Sequence, residues 1–122
     1  MSPEAPERTL LAVVSDLLIE VRIQAAAQQQ RLTVTTASAE EAAALIAAAG
    51  PVLVVTDLAV TRDRIGELQA AARKEDVEIV AYYPHVDSAL RTAALAAGVE
   101  HIYPRSRFLR DLPKILAARL SR

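Results

Sequence analysis

The chain contains no cysteine, which excludes disulfides and thiolate chemistry. Glycine is scarce, 3 residues in 122. None of it builds a phosphate loop after the first apolar run, where "SDLLIE" stands. A nucleotide or flavin held in the usual backbone cradle is therefore not expected. Aromatic residues make up only 3% and do not interleave with basic ones, so base stacking is not expected either. A net charge of −1 directs the whole chain neither to nucleic acid nor to an anionic membrane. The longest apolar run, "AAALIAAAGPVLVV", is too short to span a bilayer and is broken at Gly50-Pro51. The opening "MSPEAPER" is polar and acidic, unlike a secretory signal. Residues 1–8 read as a disordered tail before a domain over 9–122, and the expected compartment is the cytoplasm.

What is present suits one soluble globular domain, with 52% hydrophobic and 24% charged residues. The apolar pattern changes period repeatedly. "TLLAVVS" (9–15) is a short apolar run and reads as a strand. Leu17 to Gln30 favours helix, with Leu18, Val21 and Ala25 on one face. "RLTVTTA" alternates Leu32 and Val34 against threonines, as a strand with one wet face does. Ser38 with Glu41 is a capping box that opens an alanine-rich helix to Ala49. After Gly50-Pro51 comes "VLVVTD", a strand buried on both faces that ends in a carboxylate. Thr61 or Asp63 then caps a helix with Ile65, Leu68 and Ala72 inward. "VEIVAYY" (77–83) is a fourth strand, and Asp87 caps a helix ended by Gly98. "VEHIY" is the fifth strand. A last helical stretch begins at Ser106 and restarts at Pro113, since proline suits only a first turn.

Regular alternation of strand and helix builds a parallel sheet with helices on both faces. The first and third strands are almost wholly apolar and belong in the centre. The second alternates, and the fifth carries Glu100 and His101, so both read as edges. The order 2-1-3-4-5 satisfies this, a flavodoxin-like doubly wound α/β fold. In such sheets sites form beyond the carboxyl ends of the strands. Ser15 and Asp16, Thr56 and Asp57, Tyr83 with Pro84 and His85, and Arg105 with Ser106 all follow strand ends, so all are expected on one rim. There Asp57 meets water, a metal or Arg105, and need not be an unpaired buried charge. One of Tyr82 and Tyr83 packs against the fourth helix and the other faces the rim; residue pattern alone leaves open which.

At these residues the chain resembles the CheY-like receiver domains of two-component response regulators, over nearly its whole length. "LAVVSD" stands where those domains have an apolar strand and an acidic pair. "VLVVTD" stands at the phospho-acceptor, so Asp57 takes that position. "AALAAGVEHIYPRS" is similar to the helix end and strand that lead to a lysine-proline, with Arg105-Ser106 in that place. Tyr83 falls where a small hydroxyl residue ends the fourth strand. The resemblance implies Mg²⁺ held by the acids, a histidine kinase or small phosphodonor, and a two-state face on helix 4, strand 5 and helix 5. It also implies departures. Ser15 replaces one acid, leaving Asp16 and Asp57 as metal ligands, which weakens an all-oxygen Mg²⁺ site. Arg105 keeps the lysine charge but offers a rigid fork that would hold Asp57 in an ion pair. Tyr83 is too bulky for the usual hydroxyl movement.

The expected protein is a stand-alone, degenerate receiver that acts through protein contacts and is not an enzyme. Its contact or homodimer face would be helix 4, strand 5 and helix 5. The alternatives are a regulator phosphorylated on Asp57 with Mg²⁺, and a binder of a small anionic ligand on the same rim. Ordinary roles stand beside these. Asp16 caps a helix well whether or not it binds metal. His85 reads as an exposed loop residue, His101 as a structural residue on an edge strand, and Arg105, Arg107 and Arg110 as a solvated helix start.

Overall fold

A computed structural model describes residues 8–84 and 86–120; the expected tail before residue 8, and His85, lie outside them. The strands are β1 (Thr9–Val13), β2 (Thr33–Thr36), β3 (Leu53–Asp57), β4 (Glu78–Tyr83) and β5 (His101–Pro104). The helices are α1 (Leu17–Gln29), α2 (Ala39–Ala49), α3 (Ile65–Lys74), α4 (Ser88–Ala97) and α5 (Arg105–Leu120). All neighbouring strands pair parallel, in the order β2-β1-β3-β4-β5. The flavodoxin-like architecture expected from strand texture is the one found. No helix among the described residues is long and apolar enough to cross a membrane.

Strand parity divides the core into two layers. Leu10, Ala12, Leu53, Val55, Val80 and Tyr82 face α1 and α5. Leu11, Val13, Val54, Ile79 and Ala81 face α2, α3 and α4. Burying both faces of β1, β3 and β4 explains their unbroken apolar runs. Ser38 caps α2 through the Glu41 N–H, and the Glu41 carboxylate accepts from the Ser38 N–H, so the capping box is present. Gly98 ends α4 with φ 97°, and a Cβ there would lie 2.6 Å from the Arg73 guanidinium. The left-handed backbone angle is what calls for glycine at that turn, since the flexible end of Arg73 could move aside.

Three local expectations are corrected. On α1 the buried residues are Ile19, Ile23, Ala26 and Ala27, while Leu17, Leu18 and Val21 are 70%, 76% and 52% exposed. Both stripes fit a helical period; the partner surface of Phe108, Leu112 and Ile115 selects the first. Neither Thr61 nor Asp63 caps α3. A single helical turn, Leu58–Thr61, intervenes with Asp57 as its cap, and α3 starts after Arg64 without a side-chain cap. Finally, α5 does not restart at Pro113 but runs unbroken from Arg105 through it.

That last point has a physical compensation. Pro113 has no N–H for the carbonyl four residues earlier, Leu109. The Arg22 guanidinium on α1 donates to that carbonyl at 2.9 Å. Arg22→Ala should lower the unfolding free energy by about 1 kcal/mol, because the carbonyl loses its donor. In a Pro113→Ala background, where the helix supplies its own N–H, most of that loss should vanish. Urea titration of the four proteins measures the coupling.

Candidate functional site

The rim beyond the strand carboxyl ends gathers residues from three distant stretches. Asp16 caps α1, its Oδ1 accepting from the N–H of Leu18 at 2.9 Å and of Ile19 at 3.4 Å. Its Oδ2 accepts from the Arg105 guanidinium at 3.0 Å. Arg105 opens α5 directly after β5, which brings its charge across to β1. Asp57 ends β3 and lies in register with Tyr82 of β4. Its Oδ1 accepts from the Ala59 N–H at 2.8 Å. The expected Asp57–Arg105 ion pair is therefore replaced by an Asp16–Arg105 pair. The acid after β1 has its cap to make and a second oxygen free to take the guanidinium.

Arg105 still acts on Asp57 through space. Burial pushes the Asp57 carboxyl above its ordinary value, and Asp16 adds to this; the Ala59 N–H, Arg105 and Arg62 pull the other way without cancelling it. Arg62 follows the Leu58–Thr61 turn with φ 43°, a region that favours glycine and costs a side-chain-bearing residue about 1–3 kcal/mol. Beneath the turn lies a buried hydroxyl pair. Thr56 Oγ1 lies 3.1 Å from the Val13 carbonyl, its shortest contact, and 3.4 Å from Thr61 Oγ1. Donation to Val13 ties the end of β3 to β1, so Thr56 anchors the acidic turn from below.

The aromatic pair resolves by parity. Tyr83 packs on the α2–α3–α4 side, away from the carboxylates. Tyr82 is 1% exposed and stacks on Phe108, with ring centres 4.5 Å apart. Its hydroxyl has no partner among the described residues. Burial raises its pKa, Asp57 and Asp16 raise it further, and Arg105 opposes them, so the hydroxyl feels the carboxylate group directly. Tyr82 is buried in the layer under α1 and α5, in register with Asp57, and Tyr83 packs on the opposite layer. Ser15 is exposed beside Asp16. Ser106 lines a shallow hollow with Pro84, Arg105 and Leu109. The other arginines of the basic stretch are engaged locally: Arg107 lies over Tyr103, 5.5 Å from the ring centre, and Arg110 pairs with Asp111 at 3.3 Å.

The rim offers two carboxylates, Asp16 and Asp57, that a cation could use. Among the described residues no group of three or more carboxylates or histidines could hold a metal. Of the two rim carboxylates, Asp16 already binds a guanidinium. Mg²⁺ keeps several waters and is held by one or two protein carboxylates, so Asp57, with Asp16 where it gives up the guanidinium, would be the residues to hold it.

Comparison with solved structures bears on the architecture. The chain superposes on a CheY-like response regulator receiver domain from Methanospirillum hungatei, with TM-score 0.75 and 19% identity over 93% of this chain and 94% of that one. A putative response regulator from Chloroflexus aurantiacus gives 0.76 and 20%, covering 95% and 99%. The phosphorylated cyanobacterial phytochrome response regulator RcpA gives 0.78 and 16%, covering 94% and 95%. The fold is the CheY-like receiver fold. No family model matches the sequence. No curated protein matches it either. At these identities the receiver likeness is one of fold, and the chemistry must be argued from the rim.

Two stability measurements test this geometry. A carboxyl whose folded pKa is raised binds its proton more tightly when folded, so its ionisation costs stability as pH rises. Asp57→Asn keeps the cap and removes the charge; it should raise the melting temperature at pH 7 by a few degrees. The gain should shrink on acidification and disappear below the ordinary value of 3.8. Tyr82→Phe removes a buried hydroxyl without a partner and should stabilise the fold by about 1 kcal/mol in urea titration.

Proposed function

We propose that this chain is a receiver-type signalling protein that acts by binding protein partners in the cytoplasm, with phosphoryl transfer to Asp57 weakened or lost. One observation carries the reading: the Arg105 guanidinium sits on Asp16 at 3.0 Å, beside Asp57, where a receiver would hold its cation. A fixed guanidinium supplies positive charge to the rim without a metal and takes up the oxygen that a metal would use. Ser15 in place of a second acid acts in the same direction. Tyr82, wedged against Phe108, fills the space that a small hydroxyl side chain would leave open for movement.

With transfer weakened, recognition falls to a surface. Two faces are suited to it. Leu17, Leu18 and Val21 stand exposed on α1 directly after Asp16, so an apolar helix of a partner seated there would also meet the Arg105–Asp16 pair. The α4–β5–α5 face, carrying the exposed Leu95, is the second and is the face expected for a homodimer.

A second reading, a regulator phosphorylated on Asp57 by a histidine kinase with Mg²⁺, is favoured by the state of Asp57 itself. Its raised pKa makes the carboxylate more basic, and only Oδ1 is engaged by a donor among the described residues. Incubation with Mg²⁺ and acetyl phosphate, followed by intact mass measurement, separates the two. The first reading expects no added phosphoryl on the wild type, and a gain on Ser15→Asp combined with Arg105→Lys. A phosphoryl gained by the wild type and absent from Asp57→Ala establishes the second.

A further inference from the structure

At the opposite end of the sheet, His101 begins β5, Glu78 begins β4 and Arg119 lies in the last turn of α5. The imidazole Nε2 of His101 is 2.8 Å from the Glu78 carboxylate and 2.8 Å from the Arg119 guanidinium. Arg119 is also 3.3 Å from the same Glu78 oxygen. One ring nitrogen cannot satisfy both neighbours. Carrying a proton, it donates to Glu78 and opposes Arg119 donor to donor. Carrying a lone pair, it accepts from Arg119 and opposes Glu78 acceptor to acceptor. The three side chains are 21%, 29% and 28% exposed, so solvent screens this conflict only in part.

We infer that Glu78, His101 and Arg119 form a proton-operated latch on the C-terminal turn of α5. At mildly alkaline pH the Nε2 lone pair holds Arg119, and with it the helix end. On acidification Nε2 takes up one solvent proton, the imidazole becomes a cation, its N–H turns to Glu78, and Arg119 loses its shorter contact and keeps only the one at 3.3 Å to Glu78, whose oxygen it now shares with the imidazolium. Histidine is the side chain whose charge ordinarily changes between about pH 5 and 8, the range such a latch needs. Glu78 stays ionised across that range: burial pushes its carboxyl up, but His101 and Arg119 outweigh burial and hold it below the ordinary value. Among the described residues, Arg73 and Asp76 from α3 and the turn after it, and Glu100 beside His101, line the adjoining hollow together with Glu78 and His101.

Amide hydrogen exchange tests the latch on the full chain, comparing the last turn of α5 with its first turn as an internal control. After correction for intrinsic rates, protection of the last turn relative to the first should fall about threefold or more between pH 8 and pH 5.5. His101→Gln cannot gain a charge, so its ratio should not change with pH. Arg119→Met should have low last-turn protection at both values, with the first turn unaffected. Imidazole nitrogen shifts of the wild type should show a bare Nε2 at pH 8 and two protonated nitrogens at pH 5.5. A pH-independent ratio in the wild type, or the same pH response persisting in His101→Gln or Arg119→Met, overturns the inference.

Discussion

A parallel sheet covered on both faces leaves its central strands no place for a charge except their ends. β3 shows the constraint directly. Leu53, Val54 and Val55 are fully buried, and the first carboxylate comes where the strand leaves the layer, at Asp57. The same rule puts Asp16 beyond β1 and Arg105 beyond β5. Three groups far apart in sequence therefore meet because the sheet excludes them from everywhere else. Helix capping completes the arrangement, since each carboxylate uses one oxygen to cap the turn that follows it.

The Arg105–Asp16 pair is a poor source of stability. Its side chains are 50% and 38% exposed, and ion pairs in that setting contribute about 0–1 kcal/mol. Its importance is electrostatic and steric. It places a permanent cation next to a half-buried carboxylate whose proton affinity is already raised. It also engages one Asp16 oxygen, Oδ2, while Oδ1 caps α1. The fold itself rests on the two apolar layers.

The fold was legible because strand texture and helix punctuation agreed. Apolar β1 and β3 belonged in the centre, alternating β2 at an edge, and Ser38–Glu41 and Gly98 marked helix boundaries where they occur. What could not be read were choices between equivalent periods. Leu17, Leu18 and Ile19 begin two apolar stripes on α1, and only the α5 surface selects Ile19 and Ile23 for burial. Tyr82 and Tyr83 sit in a strand buried on both sides, where alternation carries no signal; the register of the sheet sets which layer each enters. Arg105 had two carboxylates in reach, and which one it takes depends on side-chain geometry that no residue pattern encodes. Pro113 looked like a break because its remedy, Arg22, lies on another helix.

Seen along α5, these details share one logic. The helix buries Phe108, Leu112, Ile115 and Leu116 against the sheet and α1, and that stripe supplies its adhesion. Apolar packing alone, however, tolerates small slides and rotations, because it is non-directional. Directional contacts limit them at three levels: Arg105 to Asp16 at the start, the Leu109 carbonyl to Arg22 in the middle, and Arg119 to Glu78 and His101 at the end. All three lie at the helix margin rather than beneath it, where water has access and each is worth little energy. Contacts of that kind set position without adding much stability, so they can change partner while the core stays packed. An arginine at each end of α5 faces a carboxylate, Asp16 at the rim and Glu78 at the opposite end of the sheet, so both ends of the helix are positioned by contacts of the same kind.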